Sequence, residues 1–368
     1  MSSTISTTTN GSVPLPAPNT ALPLDADTLP IIDISSYVPN HPNNTPETRR
    51  QTAEALHAAC RDFGFFYLNI ASLIEESETN ELAELGHRFF KLKQEVKDAL
   101  HIQNQDLARG YQRLGENITQ GKIDVHEGLD FYAPVAKPDK TRPLWGENQW
   151  PSDEDLPGFR TAYEKWVDQM KDLGFVVMEA MADGLGLTKE EWLDLRAKID
   201  NSFWVMRVIG YPPLKNEGDG ISCGAHKDYG CLTLLFADPT PKALQVFRHA
   251  AKTENVEEAG PGEWINADPI PGCVVCNIGE MWEIWTNGLY KSTIHRVIHR
   301  GTNFRVSSLS VPFFFEPNFD ALVEPLPAVF RLPEVRGGTE EKYKSVIYGD
   351  FLYKKVSNNF SLGKGQYD

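Results

Sequence analysis

The chain has 368 residues, enough for one large enzyme-sized unit or two domains, and this length excludes a small disulfide-stapled scaffold. Hydrophobic residues make up 41% and charged residues 24%, which is the composition of a packed globular protein and not of a disordered one. The net charge of −15 repels nucleic-acid phosphates and anionic membrane surfaces, so neither is an expected partner.

The sequence predicts a cytoplasmic protein. It has no apolar run near the ~18 residues of a membrane helix, and its Ser/Thr-rich N-terminus lacks the basic start and apolar stretch of a secretory signal. Five scattered cysteines, an odd number, argue against a secreted disulfide framework. Cys273 and Cys276 have the spacing of redox or zinc pairs, but they lie in an apolar run without a second pair, so we predict two buried strand thiols.

The first part of the chain is predicted to mix helices and strands. Residues 1–27 are rich in Ser, Thr, Asn and Pro and are expected to form a disordered tail, followed by a first region over residues 28–150. Its predicted elements are a strand at Leu29–Ile34, a helix at Glu47–Cys60, a strand at Phe63–Leu68 and a helix at Glu81–Leu100 with Thr79 and Asn80 as candidate N-caps. From Arg109 to Tyr132 the glycine-punctuated polar sequence favours loops and short strands.

The second region, residues 151–368, changes from helix to strand. Apolar residues recur every three or four positions from Phe159 to Leu185, which predicts one long amphipathic helix, and Thr188 with Glu191 has the form of a capping box. After Asn201 the pattern is all-β. The predicted strands are Phe203–Ile209, Cys231–Phe236, Cys273–Ile278 and Phe304–Phe315, with an exposed loop between Phe247 and Glu263.

Chemistry-bearing residues are concentrated in this strand-rich part. His226 and Asp228 lie two apart in an extended segment, so an imidazole and a carboxylate point the same way and could share one metal. The turn at Asn287-Gly288 leads into a strand that carries His295. Ten residues later, Arg305 and Ser307 could grip a carboxylate from one strand face by charge-assisted hydrogen bonds.

The order of these motifs resembles the iron- and 2-oxoglutarate-dependent dioxygenases of the isopenicillin N synthase-like group. The similarity covers roughly Leu29 to Asp350 and includes a Tyr-Pro-Pro strand end at Tyr211. The chain departs from its relatives in two places, because Asn69-Ile70-Ala71 replaces the usual Asn-His-Gly turn and Gly210 stands where many members have an aromatic residue or Asn. These differences affect the entry strands and leave the metal-binding motifs unchanged.

The resemblance implies a fold, a set of cofactors and a role for each site residue. The implied fold is α+β with a mainly β core, a double-stranded β-helix or jelly roll flanked by helices. The implied iron ligands are His226, Asp228 and His295, and the cosubstrate-binding residues are Arg305, Ser307 and Tyr211. Position relative to the family suggests Tyr111, Phe131, Phe314 and Glu316 as substrate contacts.

The family chemistry explains why this set of residues is needed. Two histidines and one carboxylate occupy one face of an octahedral Fe(II) and leave three adjacent positions, two for 2-oxoglutarate and one for O2. The expected function is therefore an oxygenase that hydroxylates, desaturates or cyclises a small organic molecule, releasing succinate and CO2, in specialised metabolism.

Three alternatives remain open from the sequence. Isopenicillin N synthase and aminocyclopropane carboxylate oxidase share the Arg-x-Ser motif without consuming 2-oxoglutarate, so that motif does not establish the cosubstrate. Two histidines, an aspartate and a water also form a catalytic zinc set, which would suit a hydrolase. A binding protein on a retained scaffold is the third, although it has no need for all three ligands. The sequence does not indicate an oligomeric state.

Overall fold

The computed structural model describes residues 28–119, 122–213, 222–248, 262–298, 308–335 and 342–359. The predicted tail 1–27 lies outside these residues. The helices are α1 (Pro46–Asp62), α2 (Glu76–Phe90), α3 (Gln94–Asp98), α4 (Phe159–Gly184), α5 (Lys189–Arg196), α6 (Glu280–Trp285) and α7 (Tyr348–Asn359). The strands are β1 (Ile31–Asp33), β2 (Phe65–Asn69), β3 (Gly110–Gln112), β4 (Ile118–Thr119), β5 (Lys122–Ile123), β6 (Glu127–Tyr132), β7 (Val205–Tyr211), β8 (Cys223–His226), β9 (Leu232–Ala237), β10 (Leu244–Arg248), β11 (Glu263–Asn266), β12 (Cys273–Ile278), β13 (His295–Val297), β14 (Ser308–Phe315), β15 (Leu322–Val323) and β16 (Val346–Ile347).

Two facing sheets form the core of the described structure. The larger sheet has eight strands in the order β1-β2-β12-β9-β14-β7-β6-β3, and the smaller has four in the order β11-β10-β13-β8. Apart from the parallel pair β1 and β2, the described pairings within both sheets are antiparallel. Strands from both predicted regions join the larger sheet. The fold is the jelly roll expected from the sequence.

The long helix α4 packs on the outer face of the larger sheet, to which every second residue of β14 contributes an apolar side chain. Leu309, Val311, Phe313 and Phe315 are buried in the main apolar cluster together with residues of α1, α2 and α4. The intervening residues of β14 point to the space between the sheets. Gly174 of α4 lies directly against the Phe315 ring, where a Cβ atom would collide with it. The apolar side of α4 is therefore buried against the outer face of the larger sheet, and the inner face of that sheet lines a cavity.

Most predicted elements are present, with shifted ends. The strand Cys273–Ile278, the α4 helix and the capping box of Thr188 and Glu191 are confirmed. The prediction of one helix over 81–100 is wrong: α2 starts at Glu76, ends at Phe90 and is followed by the separate short helix α3. Thr79 is not a cap, because its hydroxyl donates back to the Glu76 carbonyl inside the helix.

The segment predicted as an exposed loop between residues 247 and 263 is bordered by a β-ladder. Strands β10 and β11 pair from Gln245 with Asn266 to Arg248 with Glu263, and residues 249–261 lie outside the described structure. Cys273 and Cys276 are free thiols, half-buried and buried respectively. None of the helices in the described ranges has the length and apolarity needed to cross a membrane.

Candidate active site

The three predicted metal ligands come together at one end of the smaller sheet. His226 is the last residue of β8 and His295 the first of β13, and the two are directly paired in the antiparallel register. Their ring centroids are 4.3 Å apart. Asp228 follows β8 by two residues, and one donor atom from each of the three side chains lies within 4.8 Å of the others. Cross-strand pairing thus places His226 beside His295, which lies 69 positions later in the sequence.

Backbone carbonyl groups set which nitrogen of each histidine faces the cluster. His226 Nδ1 lies 2.8 Å from the Gly224 carbonyl oxygen, and His295 Nδ1 lies 3.1 Å from that of Thr293. A carbonyl accepts only, so each Nδ1 carries a proton, and Nε2 is the nitrogen of each ring that can bind a metal once it has no proton. The two Nε2 atoms lie 3.5 and 3.6 Å from Asp228 Oδ1. This is the second-shell arrangement that orients metal-binding histidines.

The Asp228 carboxylate is held by its other oxygen. Oδ2 accepts hydrogen bonds from the Thr233 hydroxyl and, at 2.7 Å, from Asn277 Nδ2. The Asp228 main-chain carbonyl accepts from the Glu280 amide at 2.9 Å, at the start of α6. Oδ1 is therefore the oxygen directed to both histidines, and neighbouring strands fix its orientation.

The segment before His295 is fixed by contacts with β2. Thr293 donates its hydroxyl to the Phe63 carbonyl at 2.6 Å. Gly64 has φ of 67° and packs against the Lys291 carbonyl so closely that a side chain there would collide with it. The edge of the Phe65 ring then contacts the His295 ring, with centroids 5.1 Å apart. The entry into β2 thus positions His295 from outside its own sheet.

The charges of the three residues favour a cation. Burial alone would raise the pKa of the Asp228 carboxyl, but His295, His226 and the Asn277 hydrogen bond hold it below its usual range. Burial, with repulsion from His226, lowers the pKa of His295 to about 4. Burial would also lower the pKa of His226, but Cys223 and Asp228 outweigh it and raise it well above its ordinary value. The cluster offers an ionised carboxylate beside a neutral imidazole.

This donor set fits a ferrous ion. Bonds of about 2.1 Å at right angles place neighbouring donor atoms about 3 Å apart, close to the observed 3.5 and 3.6 Å between Asp228 and the two histidines. Two imidazoles and one carboxylate on one face leave the opposite face to exogenous ligands. The three residues line the space between the sheets, from which such ligands would come.

A cavity begins at the cluster and runs between the two sheets. Its walls combine apolar side chains with a few polar ones, as in small-molecule sites. Besides the three clustered residues, the polar lining groups are Arg207, Tyr211, Cys223, Thr233, Asp238, Thr240, Asn277, Ser308 and Ser310.

The predicted cosubstrate residues are only partly within the described structure. Arg305 and Ser307 lie outside it. Tyr211, at the end of β7, lines the cavity, and its hydroxyl lies 3.2 Å from Ser310 Oγ. Ser308 pairs with Tyr211 in the strand register and also lines the cavity. Among the described residues, Tyr211, Ser308 and Ser310 therefore present three hydroxyl groups at this end of the cavity.

Of the four predicted substrate contacts, the structure places only Phe314 on the cavity wall. Tyr111 is buried and its hydroxyl donates to Glu127, while Phe131 stacks on Trp150. Both face away from the cavity. Phe131 is next to Asp130, the β6 residue that pairs with the cavity-lining Arg207, so alternation turns it to the other face. Tyr111 of β3 pairs with Leu129, the neighbour of Asp130 on its other side.

Glu316 packs against Gly230, two residues after Asp228, and does not line the cavity. It follows β14, and its carboxyl group occupies the space that the absent side chain of Gly230 leaves. Its Oε2 atom is buried, and the polar groups that act on the carboxyl are the Tyr348 hydroxyl and the Cys231 backbone. Burial, first of all, raises the pKa of the Glu316 carboxyl to about 8.

Arg207 is a cavity residue that was not among the predicted site residues. This residue of β7 lies two positions before Ile209 and four before Tyr211, and all three line the cavity. Same-face alternation from Tyr211, a residue already assigned to the site, would have identified it.

Comparisons with known proteins agree with this geometry. Residues 29–153 match the sequence profile described as the N-terminal region of the non-haem dioxygenase in morphine synthesis, and residues 201–317 match that of the 2OG-Fe(II) oxygenase superfamily. The chain is 39% identical to homoarginine-6-hydroxylase 2-ODD-C23 of Glycine max over 91% of this chain and 98% of the relative. It is 30% identical to the 2-oxoglutarate-dependent dioxygenase frbJ of Dothideomycetidae sp. (strain 11243) over 81% and 76%, respectively.

Solved structures show the same likeness. Full-length Neurospora crassa T7H in complex with alpha-KG aligns with a TM-score of 0.75 and 26% identity, covering 93% of this chain and 99% of T7H. The T7H complex with alpha-KG and thymine aligns with a TM-score of 0.74 and 26% identity over 91% and 98%. The sequence profiles, the similar proteins and the solved structures are thus consistent with one another and with the geometry of the site.

Proposed function

The chain belongs to the 2-oxoglutarate- and Fe(II)-dependent oxygenase superfamily, and from this premise we propose that it hydroxylates an aliphatic C–H bond of a small amino acid. The observation that carries the chemistry is the convergence of His226, Asp228 and His295 at the inner end of a cavity. The amino-acid class is supported by the relatives named homoarginine-6-hydroxylases, one of which this chain matches over 98% of its length.

We assign iron binding to the Nε2 atoms of both histidines and to Asp228 Oδ1. The protons on the two Nδ1 atoms are kept in place by the Gly224 and Thr293 carbonyls, so the lone pairs stay directed at one point. Ferrous iron, when bound, supplies the redox chemistry that couples decarboxylation of 2-oxoglutarate to oxidation of a substrate C–H bond.

We assign the far carboxylate of 2-oxoglutarate to the end of the cavity where Tyr211, Ser308 and Ser310 present hydroxyl groups. The proposed partners of that carboxylate also include Arg305 and Ser307. The apolar lining from β9 and β12, such as Leu235 and Val275, excludes bulk water from the reacting region. The chain thus orients the cosubstrate and keeps the reaction dry.

The overall reaction balances as one substrate, one 2-oxoglutarate and one O2 giving the alcohol, succinate and CO2. One oxygen atom of O2 enters succinate and the other enters the new hydroxyl group. Purified protein with Fe(II), 2-oxoglutarate and L-homoarginine should form succinate and a product heavier by one oxygen atom in equal amounts.

Two controls separate this proposal from the alternatives. Leaving out 2-oxoglutarate should stop oxygen uptake; undiminished uptake would instead support an oxidase that does not use 2-oxoglutarate. Excluding O2 should stop turnover altogether. Product formed under strict anaerobiosis with Zn(II) alone would contradict the proposal and favour a hydrolase.

A further inference from the structure

Arg207 is a positively charged residue on the cavity wall that is neither an assigned iron ligand nor an assigned partner of 2-oxoglutarate. Arg207 of β7 reaches the cavity with 24% of its side chain exposed. It shares a strand face with Ile209 and Tyr211, so it lies along the same wall as the hydroxyl-bearing residues. Its strand neighbour across the sheet, Asp130 of β6, is its direct register partner.

Three buried acceptors hold the guanidinium in one orientation. Nε donates to Asp130 Oδ1 at 2.8 Å, and Nη2 donates to Gln112 Oε1 at 3.3 Å and Asn117 Oδ1 at 3.1 Å. Asp130, Gln112 and Asn117 are all buried. The planar group is therefore fixed from behind before any ligand arrives, which reduces the entropy lost on binding.

The remaining edge of the guanidinium is available to a ligand. A guanidinium has five N–H donors, and the contacts above use those of Nε and Nη2. Among the described residues, Nη1 has no acceptor for its two N–H groups. Because Arg207 lines the cavity, these donors need an acceptor from water or from a bound molecule.

The two donors on Nη1 favour a carboxylate at this position because they belong to a charged guanidinium. Asp130 compensates the charge of Arg207, and the nearby His126 is neutral because burial, with repulsion from Arg207, lowers its pKa to about 3. A hydrogen bond from a guanidinium is stronger to an ionised oxygen than to a neutral one. The site therefore binds through short, directed bonds and gains most from an anionic acceptor.

This inference rests on the proposed function and names the substrate class more closely. We propose that Arg207 binds the carboxylate of the substrate, so that the enzyme accepts small carboxylic acids and rejects their neutral amides. The role is separate from that of Arg305 and Ser307, which are assigned to 2-oxoglutarate. It makes Arg207 a specificity-determining residue on the substrate side of the cavity.

The test compares acids with amides in two proteins. L-homoarginine, L-arginine and L-lysine, each beside its primary amide, are assayed for stimulation of Fe(II)-dependent succinate formation by the wild-type enzyme and by Arg207→Gln. We expect at least one acid to stimulate the wild-type enzyme with a KM at least about tenfold below that of its amide, as for a charged hydrogen bond. In Arg207→Gln that difference should disappear.

Further variants guard against misfolding and general effects. Arg207→Gln leaves Asp130 buried without its partner, so the double variant with Asp130→Asn removes both charges together and should also lose the acid preference. Arg113→Gln is the matched control, because Arg113 forms an exposed ion pair with Asp98 outside the cavity. That control should keep the wild-type preference for acids.

Several outcomes would overturn the inference. Equal KM values for acids and amides in the wild-type enzyme, no stimulation by any of the acids, or an undiminished preference in both Arg207 variants would each do so. A raised KM for 2-oxoglutarate with unchanged acid preference would assign Arg207 to the cosubstrate instead. Absence of Fe(II)-dependent succinate in every reaction would contradict the proposed function itself, and this inference with it.

Discussion

Replacing Glu316 by Gln should stabilise the metal-free protein progressively as the pH rises. Glu316 is 4% exposed, and burial, partly offset by Tyr348 and the Cys231 backbone, raises the pKa of its carboxyl from 4.5 to about 8 in the fold. Between these two pKa values the unfolded chain is ionised at this residue while the folded chain keeps the proton. Unfolding then releases a proton, so rising pH favours the unfolded state.

The size of the effect follows from linkage. One proton released on unfolding lowers the free energy of unfolding by about 1.4 kcal/mol per pH unit, up to the pH at which the folded carboxyl also ionises. Below the unfolded pKa both states are protonated and the residue contributes no slope. Glutamine has nearly the same shape and no titration, so Glu316→Gln lacks this slope.

Urea unfolding at pH 5.5, 6.5 and 7.5 measures the difference between the two proteins. The free energy of unfolding of Glu316→Gln minus that of the wild type should grow by roughly 1.4 kcal/mol per pH unit. Glu190→Gln removes the same charge from an exposed position and controls for the overall charge of −15. A constant difference across this range would refute the reasoning, because it would mean that Glu316 is ionised in the folded protein.

Three other substitutions test single contacts. Asn277→Ala removes the 2.7 Å bond to Asp228 Oδ2 and should weaken metal binding by about 10–100-fold in an anaerobic Fe(II) titration; unchanged affinity would deny Asn277 its orienting role. Gly174→Ala should lower the melting temperature and the free energy of unfolding, the latter by roughly 1–3 kcal/mol, because the new Cβ collides with Phe315. This loss should outweigh the better helix propensity of alanine. A stabilised variant would show that the ring moves aside. Thr188→Ala removes the capping box of α5 and should lower the free energy of unfolding in urea by about 1 kcal/mol. An unchanged free energy would show that α5 does not depend on its cap.

The sequence predicted the metal cluster because its ligands belong to short, ordered motifs. His226 and Asp228 are local neighbours, and the strand carrying His295 was recognisable from the turn before it. The direct pairing of His226 with His295 was not predictable from alternation alone, since it depends on the register between β8 and β13. The resemblance to a family supplied that missing long-range relation.

The substrate side was harder to predict because it depends on which face of a strand meets the cavity. Tyr111 and Phe131 are in strands beside the site but point into the core, since β6 places Asp130 on the cavity side. Arg207 was overlooked for the same reason. A shift of one residue along a strand exchanges its two faces, so approximate positions in sequence do not identify pocket residues.

The prediction of helix ends and short elements was limited because local sequence signals alone do not determine them. Thr79 and Asn80 are common N-cap residues, yet both lie inside α2, which starts at Glu76. The short helix α6, which supplies the Glu280 amide to the Asp228 carbonyl, was not predicted at all. Six residues are too few for a periodic pattern, so its existence depends on tertiary packing.

The most direct test of the account is the iron content of the protein and its ligand variants. Anaerobic titration with Fe(II) should give one tightly bound ion per wild-type chain, and His226→Ala, Asp228→Ala and His295→Ala should each abolish it while remaining folded by circular dichroism. Asp238→Asn, which changes another carboxylate of the same cavity, should keep the ion. Full iron binding by any of the three alanine variants would contradict the claim that these side chains hold one ferrous ion.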